Sequence, residues 1–423
     1  MQFENTAAFA KELDEKDILN DFRNKFYIPI INGKECIYFT GNSLGLQTKS
    51  TQDYVVNELE DWANFGVEGH FHARKPWLQY HEIFPKQLSK IVGCLPEEVV
   101  VMNQLTVNLH LLMVSFYRPS KQRYKIICEA KAFPSDQYAM ESQVKYHGFK
   151  YEDAVIEVSP RAGEYSIRTE DIVAAIKQHG ESVALVLFGG VNYYTGQYFD
   201  LQSITKAAHE VGAIAGFDLA HAAGNVELKL HEWDVDFACW CSYKYLNSGP
   251  GAVAGVYIHQ KHFTNTGIPR FSGWWGHTKE KRFKMDKGFE PIPTAEGWQL
   301  SNAPILSMAA HKASIDIFEA AGMENLLAKG KLLSNYLLFI LDDINTSLKE
   351  KIIEIITPRT AKGCQVSMLM LKQGKEVFEA LKKQGVIADW REPNVIRVAP
   401  VPLYNKFSEV FTFGQIIKGI VSK

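Results

Sequence analysis

Lys244 follows a short apolar run, Val235 to Trp240, and precedes the turn Asn247-Ser248-Gly249-Pro250-Gly251. Asp218 lies upstream, at the end of a second apolar run, Ala213 to Asp218. An amine and a carboxylate delivered from neighbouring strand ends are what pyridoxal 5'-phosphate (PLP) chemistry requires. The amine forms a Schiff base with the aldehyde, and the carboxylate keeps the pyridine nitrogen protonated so that the ring can accept electrons. On its own Lys244 also reads as a solvated loop lysine; its surroundings decide against that. Thr106, at a helix start after the run Val99-Val100-Val101-Met102, offers a hydroxyl and free backbone N–H groups to a phosphate, or is a simple N-cap. Phe133, in Phe133-Pro134-Ser135-Asp136, either lies flat on a cofactor ring or belongs to a proline turn. His221, three residues beyond Asp218, could stack near a cofactor, bond to Asp218, or be a satisfied histidine in a turn. Tyr243 is a candidate phosphate ligand and proton carrier, or a packing residue.

The elements that must position these groups alternate. Strand-like runs at Glu98 to Met102, Tyr124 to Glu129, Val183 to Phe188, Ala213 to Phe217, Phe237 to Ser242 and Ala252 to Ile258 are interleaved with amphipathic segments such as Thr169 to His179 and Leu201 to Val211. That order predicts an α/β fold with a mostly parallel sheet covered on both faces, and it puts Asp218 at the carboxyl edge where open sheets bind ligands. After Pro304 the pattern becomes long helices, Ile305 to Ala321 and Met323 to Ile344, then a short α+β segment with Gln365 to Leu371 and Val395 to Val398. The expected division is a large domain over 50–303 and a smaller α+β domain made from 1–49 and 304–423.

Composition bounds the function. The 423 residues carry a net charge of -2 with mixed signs, 46% hydrophobic and 22% charged content, which gives no basis for a nucleic-acid or anionic-membrane partner. No run approaches the ~20 apolar residues of a membrane span. Met1-Gln2-Phe3-Glu4-Asn5 is polar and acidic, unlike a signal peptide. Six cysteines without Cys-x-x-Cys spacing indicate reduced thiols and a cytoplasmic setting. Thirteen histidines without His-Glu-x-x-His give no support for a metal.

At the level of motifs the chain resembles kynureninases, PLP-dependent fold-type-I enzymes (aminotransferase-class-V-like) of tryptophan catabolism. The resemblance runs through Gly41-Asn42-Ser43-Leu44-Gly45-Leu46, Phe133-Pro134-Ser135-Asp136, Asn192-Tyr193-Tyr194-Thr195-Gly196-Gln197 and Gly216-Phe217-Asp218-Leu219-Ala220-His221-Ala222. It continues in Asp236 to Asn247, Arg282-Phe283-Lys284-Met285-Asp286 and Ile396-Arg397-Val398-Ala399-Pro400-Val401-Pro402-Leu403-Tyr404-Asn405, in family order over nearly the whole chain.

What the resemblance implies is specific. Lys244 would be the Schiff-base lysine and the base at Cα, Asp218 the partner of the ring nitrogen, and Phe133 the ring cover. Leu105, Thr106, Pro134, Ser135, Asp136, His221 and Tyr243 would complete the cofactor shell, with Tyr243 carrying protons in the carbonyl steps. Trp274 and Asn302 would close the site from the second subunit of a homodimer. Arg397 would grip the substrate carboxylate; the alternative is a surface salt bridge. The implied reaction hydrolyses L-kynurenine to anthranilate and L-alanine, and 3-hydroxy-L-kynurenine to 3-hydroxyanthranilate and L-alanine, in tryptophan degradation and NAD biosynthesis. It is a hydrolase reaction on a carbon–carbon bond of a ketone. His70, Ser43, Ser301 and Asn302 would contact the substrate, with His70 and the Ser301-Asn302 pair favouring the 3-hydroxy form; otherwise His70 is a buried structural histidine and Ser301-Asn302 merely leads into the helix at Pro304. Gly189 departs from relatives that carry a small hydroxyl residue there. The competing readings are a desulfurase or aminotransferase of the same fold, and a PLP-binding protein without catalysis.

Overall fold

The computed structural model describes residues 2–265 and 267–422, so Met1 and Lys423, the extremes of the expected small domain, and Thr266 lie outside the described residues. The six strand-like runs and one further strand form one sheet: β1 (Val99–Val101), β2 (Lys125–Glu129), β3 (Val155–Val158), β4 (Val183–Gly189), β5 (Ile214–Asp218), β6 (Phe237–Trp240) and β7 (Gly255–Ile258). Their order is β1-β7-β6-β5-β4-β2-β3. Strand β7 alone runs against the others, antiparallel to both β6 and β1, while the remaining pairs are parallel. The strand β3, whose Val155 and Val158 are buried while Ile156 and Glu157 are not, is the edge that the sequence reading leaves unmarked.

Helices cover both faces, which is why the inner strands are continuous apolar runs. On one face Val186, Phe188, Ala215 and Phe217 pack with Ile172 and Ile176 of α5 (Thr169–His179) and Ile204 of α6 (Leu201–Glu210). On the other, Ile126, Leu185, Leu187, Phe237 and Cys239 pack with α3 (Leu105–Phe116) and α4 (Pro134–Tyr146). Helix α7 (Ile305–Ala321) lies along α2 (Thr51–Phe65), with Met308, Ile315 and Phe318 in the first core.

A second, antiparallel sheet holds β8 (Ile353–Ile355), β9 (Val366–Met370), β10 (Asp389–Arg391) and β11 (Val395–Val398) in the order β8-β9-β11-β10. Its core joins the two ends of the chain. Ala10 and Leu13 of α1 (Ala7–Glu15) pack with residues of α8 (Met323–Ser347) and α9 (Phe407–Val421). Asp14 accepts hydrogen bonds from the backbone N–H groups of Phe407 at 2.6 Å and Ser408 at 3.2 Å, supplying acceptors to two of α9's otherwise free N–H groups. Among the described residues no helix is long and apolar enough to cross a membrane.

Candidate active site

The parallel strands end together. Glu129 closes β2, Gly189 closes β4 and Asp218 closes β5, with Gly189 and Asp218 in register. Past β6 the chain turns back to bury Lys244 at 9% exposure. Its Nζ lies 3.0 Å from His221 Nε2 and 5.6 Å from the centroid of the Phe133 ring. The segment 40–45 holds this turn in place: Gly45 N–H donates to Tyr243 O at 2.8 Å, and a Cβ at Gly45 would stand 2.4 Å from Lys244 O. Only glycine allows that approach.

Leu105, Thr106, Glu129, Phe133, Ser135, Asp136, Gly189, Tyr193, Asp218, His221, Cys241, Tyr243 and Lys244 all line one cavity. Two helix N-termini converge there. Thr106, in the first turn of α3, and Ser135, in the first turn of α4, bring their hydroxyls within 2.7 Å of each other. The N-cap of α3 is Gln104, so the Thr106 hydroxyl points across to α4 and does not cap its own helix. Pro134 occupies the first turn of α4, where its missing N–H costs nothing. The Phe133 ring is 40% exposed toward the opening and meets Tyr193 edge-on at 5.3 Å.

Burial governs the charges. It raises the Asp218 carboxyl, but Lys244, the Ala220 N–H at 2.6 Å and a bond from Asp136 oppose the rise. Burial and then the charge of Asp218 push Asp136 well above the usual carboxylate range, so of the two acids Asp136 holds its proton more strongly. His221 is held well below its ordinary value by burial and then by Lys244; it is the neutral acceptor of the lysine N–H, and no bond joins it to Asp218. Burial also raises the Tyr243 hydroxyl, which therefore stays protonated at neutral pH.

Glu129 is the lining acid that sequence reasoning passed over as a mere strand end. Its signal was available: an acid closing the apolar run Ile126-Ile127-Cys128. Burial pushes its carboxyl up to about 8. Asn192 turns its amide toward it, because Asn192 Oδ1 is already taken by the N–H groups of Tyr194 and Thr195. A raised acid holds its proton longer in the folded chain than in the unfolded one, so folded stability falls as pH rises from about 4.5 to about 8. Glu129→Gln removes that slope. Thermal unfolding of the two proteins across this window should show the variant gaining on wild type as pH rises; parallel curves would exclude a buried, protonated Glu129.

Fit to PLP can be judged from the donors present. An amine, a lone carboxylate, two hydroxyls at helix N-termini and an open aromatic face surround one space. Asp136 Oδ1, His221 Nδ1 and Glu129 Oε2 are buried there without a hydrogen-bond partner, as expected of groups awaiting a polar ligand. The residues fit.

Other sequence-predicted positions do not meet the cavity within one chain. Arg397 is buried at 1% exposure, which removes the surface salt bridge alternative; it pairs with Asp389 and donates to the carbonyl of Tyr193, itself a cavity residue. His70 is half-buried rather than buried, with Nδ1 3.0 Å from Val67 O and its ring edge-on to Trp77. Trp274 donates to Arg282 O at 2.8 Å and lines a separate pocket with Lys281 and Met285. Ser301 and Asn302 are exposed ahead of α7, whose N-cap is Pro304. Ser43 is half-buried in the segment that braces Tyr243, with its N–H bonded to Thr40 O. Two groups of cation-ligand type, Glu98-His231-His259 and His81-Glu82-Glu296, contribute nothing to the cavity. Glu98 already accepts from the Leu95 and Gln260 N–H groups and from His231, which gives its carboxylate a structural task.

Comparison with known proteins extends these observations. The structure is similar to the apo cysteine desulfurase of Thermococcus onnurineus, with a TM-score of 0.76 at 18% identity, covering 95% of this chain and 97% of that one. It is also similar to C-DES with glycine covalently linked to its PLP cofactor, with a TM-score of 0.74 at 15% identity, covering 90% and 96%. These likenesses establish the fold. A family model described as the kynureninase C-terminal domain matches residues 326–417. The chain is 57% identical to the kynureninase of Flavobacterium psychrophilum over 99% of both proteins. It is 52% identical to that of Myxococcus xanthus, over 99% of this chain and 98% of that one. With the kynureninase of Mus musculus it shares 47% identity, covering 97% and 92%. This chain belongs to the kynureninase family.

Proposed function

We propose that this enzyme uses PLP to hydrolyse the Cβ–Cγ bond of L-kynurenine and 3-hydroxy-L-kynurenine, releasing L-alanine and anthranilate or 3-hydroxyanthranilate. The observation that carries the reading is the burial of Lys244 beside neutral His221, with Asp218 at the end of the neighbouring strand in the same cavity, in a chain of this family. Bound PLP supplies an electron-accepting ring and an aldehyde. Lys244 holds the cofactor and, once free, takes the Cα proton. His221 keeps the lysine N–H oriented. Asp218 presents negative charge to the ring nitrogen. Thr106 and Ser135, with the helix N-termini behind them, take the phosphate. Phe133 covers the ring, Leu105 and Pro134 shape its surroundings, Tyr243 moves a proton at the γ-oxygen, and Arg397 takes the substrate carboxylate.

The reading includes a homodimer. Trp62, Phe65, Val67 and Phe71 leave an apolar ridge exposed on either side of His70, at 61, 40, 74 and 54%. Large apolar side chains left exposed within one short stretch are the kind that an interface covers. A second copy seated on it would bring Trp274, Asn302 and the aryl-contacting His70 and Ser301 to a neighbour's cavity. A cytoplasmic setting is supported by the six cysteines, all unpaired. A desulfurase is disfavoured because Cys241, the one cysteine lining the cavity, has its thiol pushed up by burial.

The test is fluorimetric release of anthranilate and 3-hydroxyanthranilate from the two substrates. The 3-hydroxy substrate should win in kcat/KM by about 5- to 150-fold, the range of a hydrogen-bonding pocket left unpaired by the plain substrate. His70→Phe with Asn302→Thr should collapse that ratio. No product from either substrate overturns the reading, and an unchanged ratio clears these two residues.

A further inference from the structure

Arg391 has no role so far, yet register places it beside Arg397, the arginine proposed to take the substrate carboxylate. Strands β10 and β11 pair antiparallel, Asp389 opposite Arg397 and Arg391 opposite Val395, while Ser367 of β9 is opposite Arg397 on its other side. Side chains alternate along a strand, so Asp389, Arg391, Arg397 and Ser367 share one face of the sheet. Trp390 and Ile396 take the opposite face, in or against the core that the second sheet shares with α1, α8 and α9. The shared face lies on the turn that walls the cavity: Arg397 donates to Tyr193 O, and Ser367 Oγ donates to Tyr194 O at 2.7 Å.

Charge on that face does not balance. Asp389 accepts from Arg397 Nη2 and from Arg391 Nη2, the latter at 3.2 Å. Among the described residues it is the only acid in an ion pair with either arginine. Glu392 is turned to Trp390 Nε1 at 2.8 Å. Two cations therefore share one anion, and one positive charge is left over. The Nε atoms of both arginines are buried without a partner. The Arg397 side chain is 1% exposed and that of Arg391 37%. Both cations are felt at His221, although after burial and Lys244. A monoanion approaching Lys244 and His221 meets this surplus.

We propose that Arg391 is a second anchor for the carboxylate of the amino-acid substrate, acting with Arg397 across Asp389, their shared counter-ion. The proposal deepens the kynureninase reading, and its test separates the two. Holoenzyme is titrated with L-alanine and with L-alaninamide, followed by the cofactor's visible absorbance, alongside kynurenine turnover. Wild type should bind alanine more tightly than the amide. Arg391→Gln should cut that preference roughly 10-fold or more through weaker alanine binding alone, the scale of a lost charge-assisted bond. Arg391→Lys should keep part of it, because the charge remains while the fork is lost. For kynurenine, Arg391→Gln should raise KM far more than it lowers kcat. An Arg391→Gln variant that weakens both ligands equally, or neither, overturns the anchor. If wild type fails to cleave kynurenine while the alanine preference still depends on Arg391, the functional reading falls and the anchor stands.

Discussion

Lys244→Ala is expected to reduce turnover of kynurenine by about 10⁴-fold or more, the upper range for removal of a positioned proton-transfer group, with loss of covalent attachment added to it. The expectation follows from exclusivity. Among the described residues Lys244 is the one lysine that lines the cavity, and its Nζ is held at 3.0 Å by an imidazole that burial keeps neutral. No neighbouring amine can substitute. The visible band of the bound cofactor should vanish in the variant, and borohydride reduction of wild type should leave the pyridoxyl mass on the peptide containing Lys244. Label on another lysine would refute the assignment.

Asp218→Asn should leave the cofactor bound and lower kcat by about 10²- to 10³-fold, the scale of one preorganised charge lost from a dry site. Asn keeps the shape and can still accept from the Ala220 N–H. What disappears is the cavity acid whose upward shift is opposed by Lys244, the Ala220 N–H and Asp136, whereas burial and the charge of Asp218 push Asp136 well above the carboxylate range and burial takes Glu129 up to about 8. These two neighbours are also why the effect should not be rescued from within: ionising either one in the same buried space meets the same penalty. Near-normal kcat in Asp218→Asn would remove it from the mechanism.

Much of this was legible in the sequence because the groups concerned sit at the ends of apolar runs. Asp218 closes β5 and Lys244 follows β6, so strand periodicity alone brings them to one sheet edge. Thr169–His179 and Ile305–Ala321 read correctly as helices because their burial follows the apolar period. Helix α2 did not read, and the reason is physical. Its buried residues are Glu58 and Asp61, while Val56, Leu59, Trp62 and Phe65 face outward. Glu58 is satisfied by Trp77 Nε1 and Tyr80 OH, and Asp61 by the Arg74 N–H, all partners from later in the chain. An inverted pattern of that kind is visible only once the partners are in place. The pairing of Asp389 with Arg397 was hidden for a similar reason, since it depends on hairpin register. His70, Trp274, Ser301 and Asn302 were named by resemblance alone, and one chain does not gather them.

The clasp between the two chain ends has a consequence in time. Asp14 waits for the N–H groups of Phe407 and Ser408, and Ala10 and Leu13 wait for the helices that include Leu333 and Val410. At about 5 to 20 residues per second, a ribosome needs roughly 20 to 80 s to reach those partners after making α1. Every strand of the seven-stranded sheet is made within that interval, while α1 stays an orphan with its apolar side uncovered. Helix α9 is therefore the latch for α1, and a chain cut short before Phe407 should be captured by chaperones or proteases through α1.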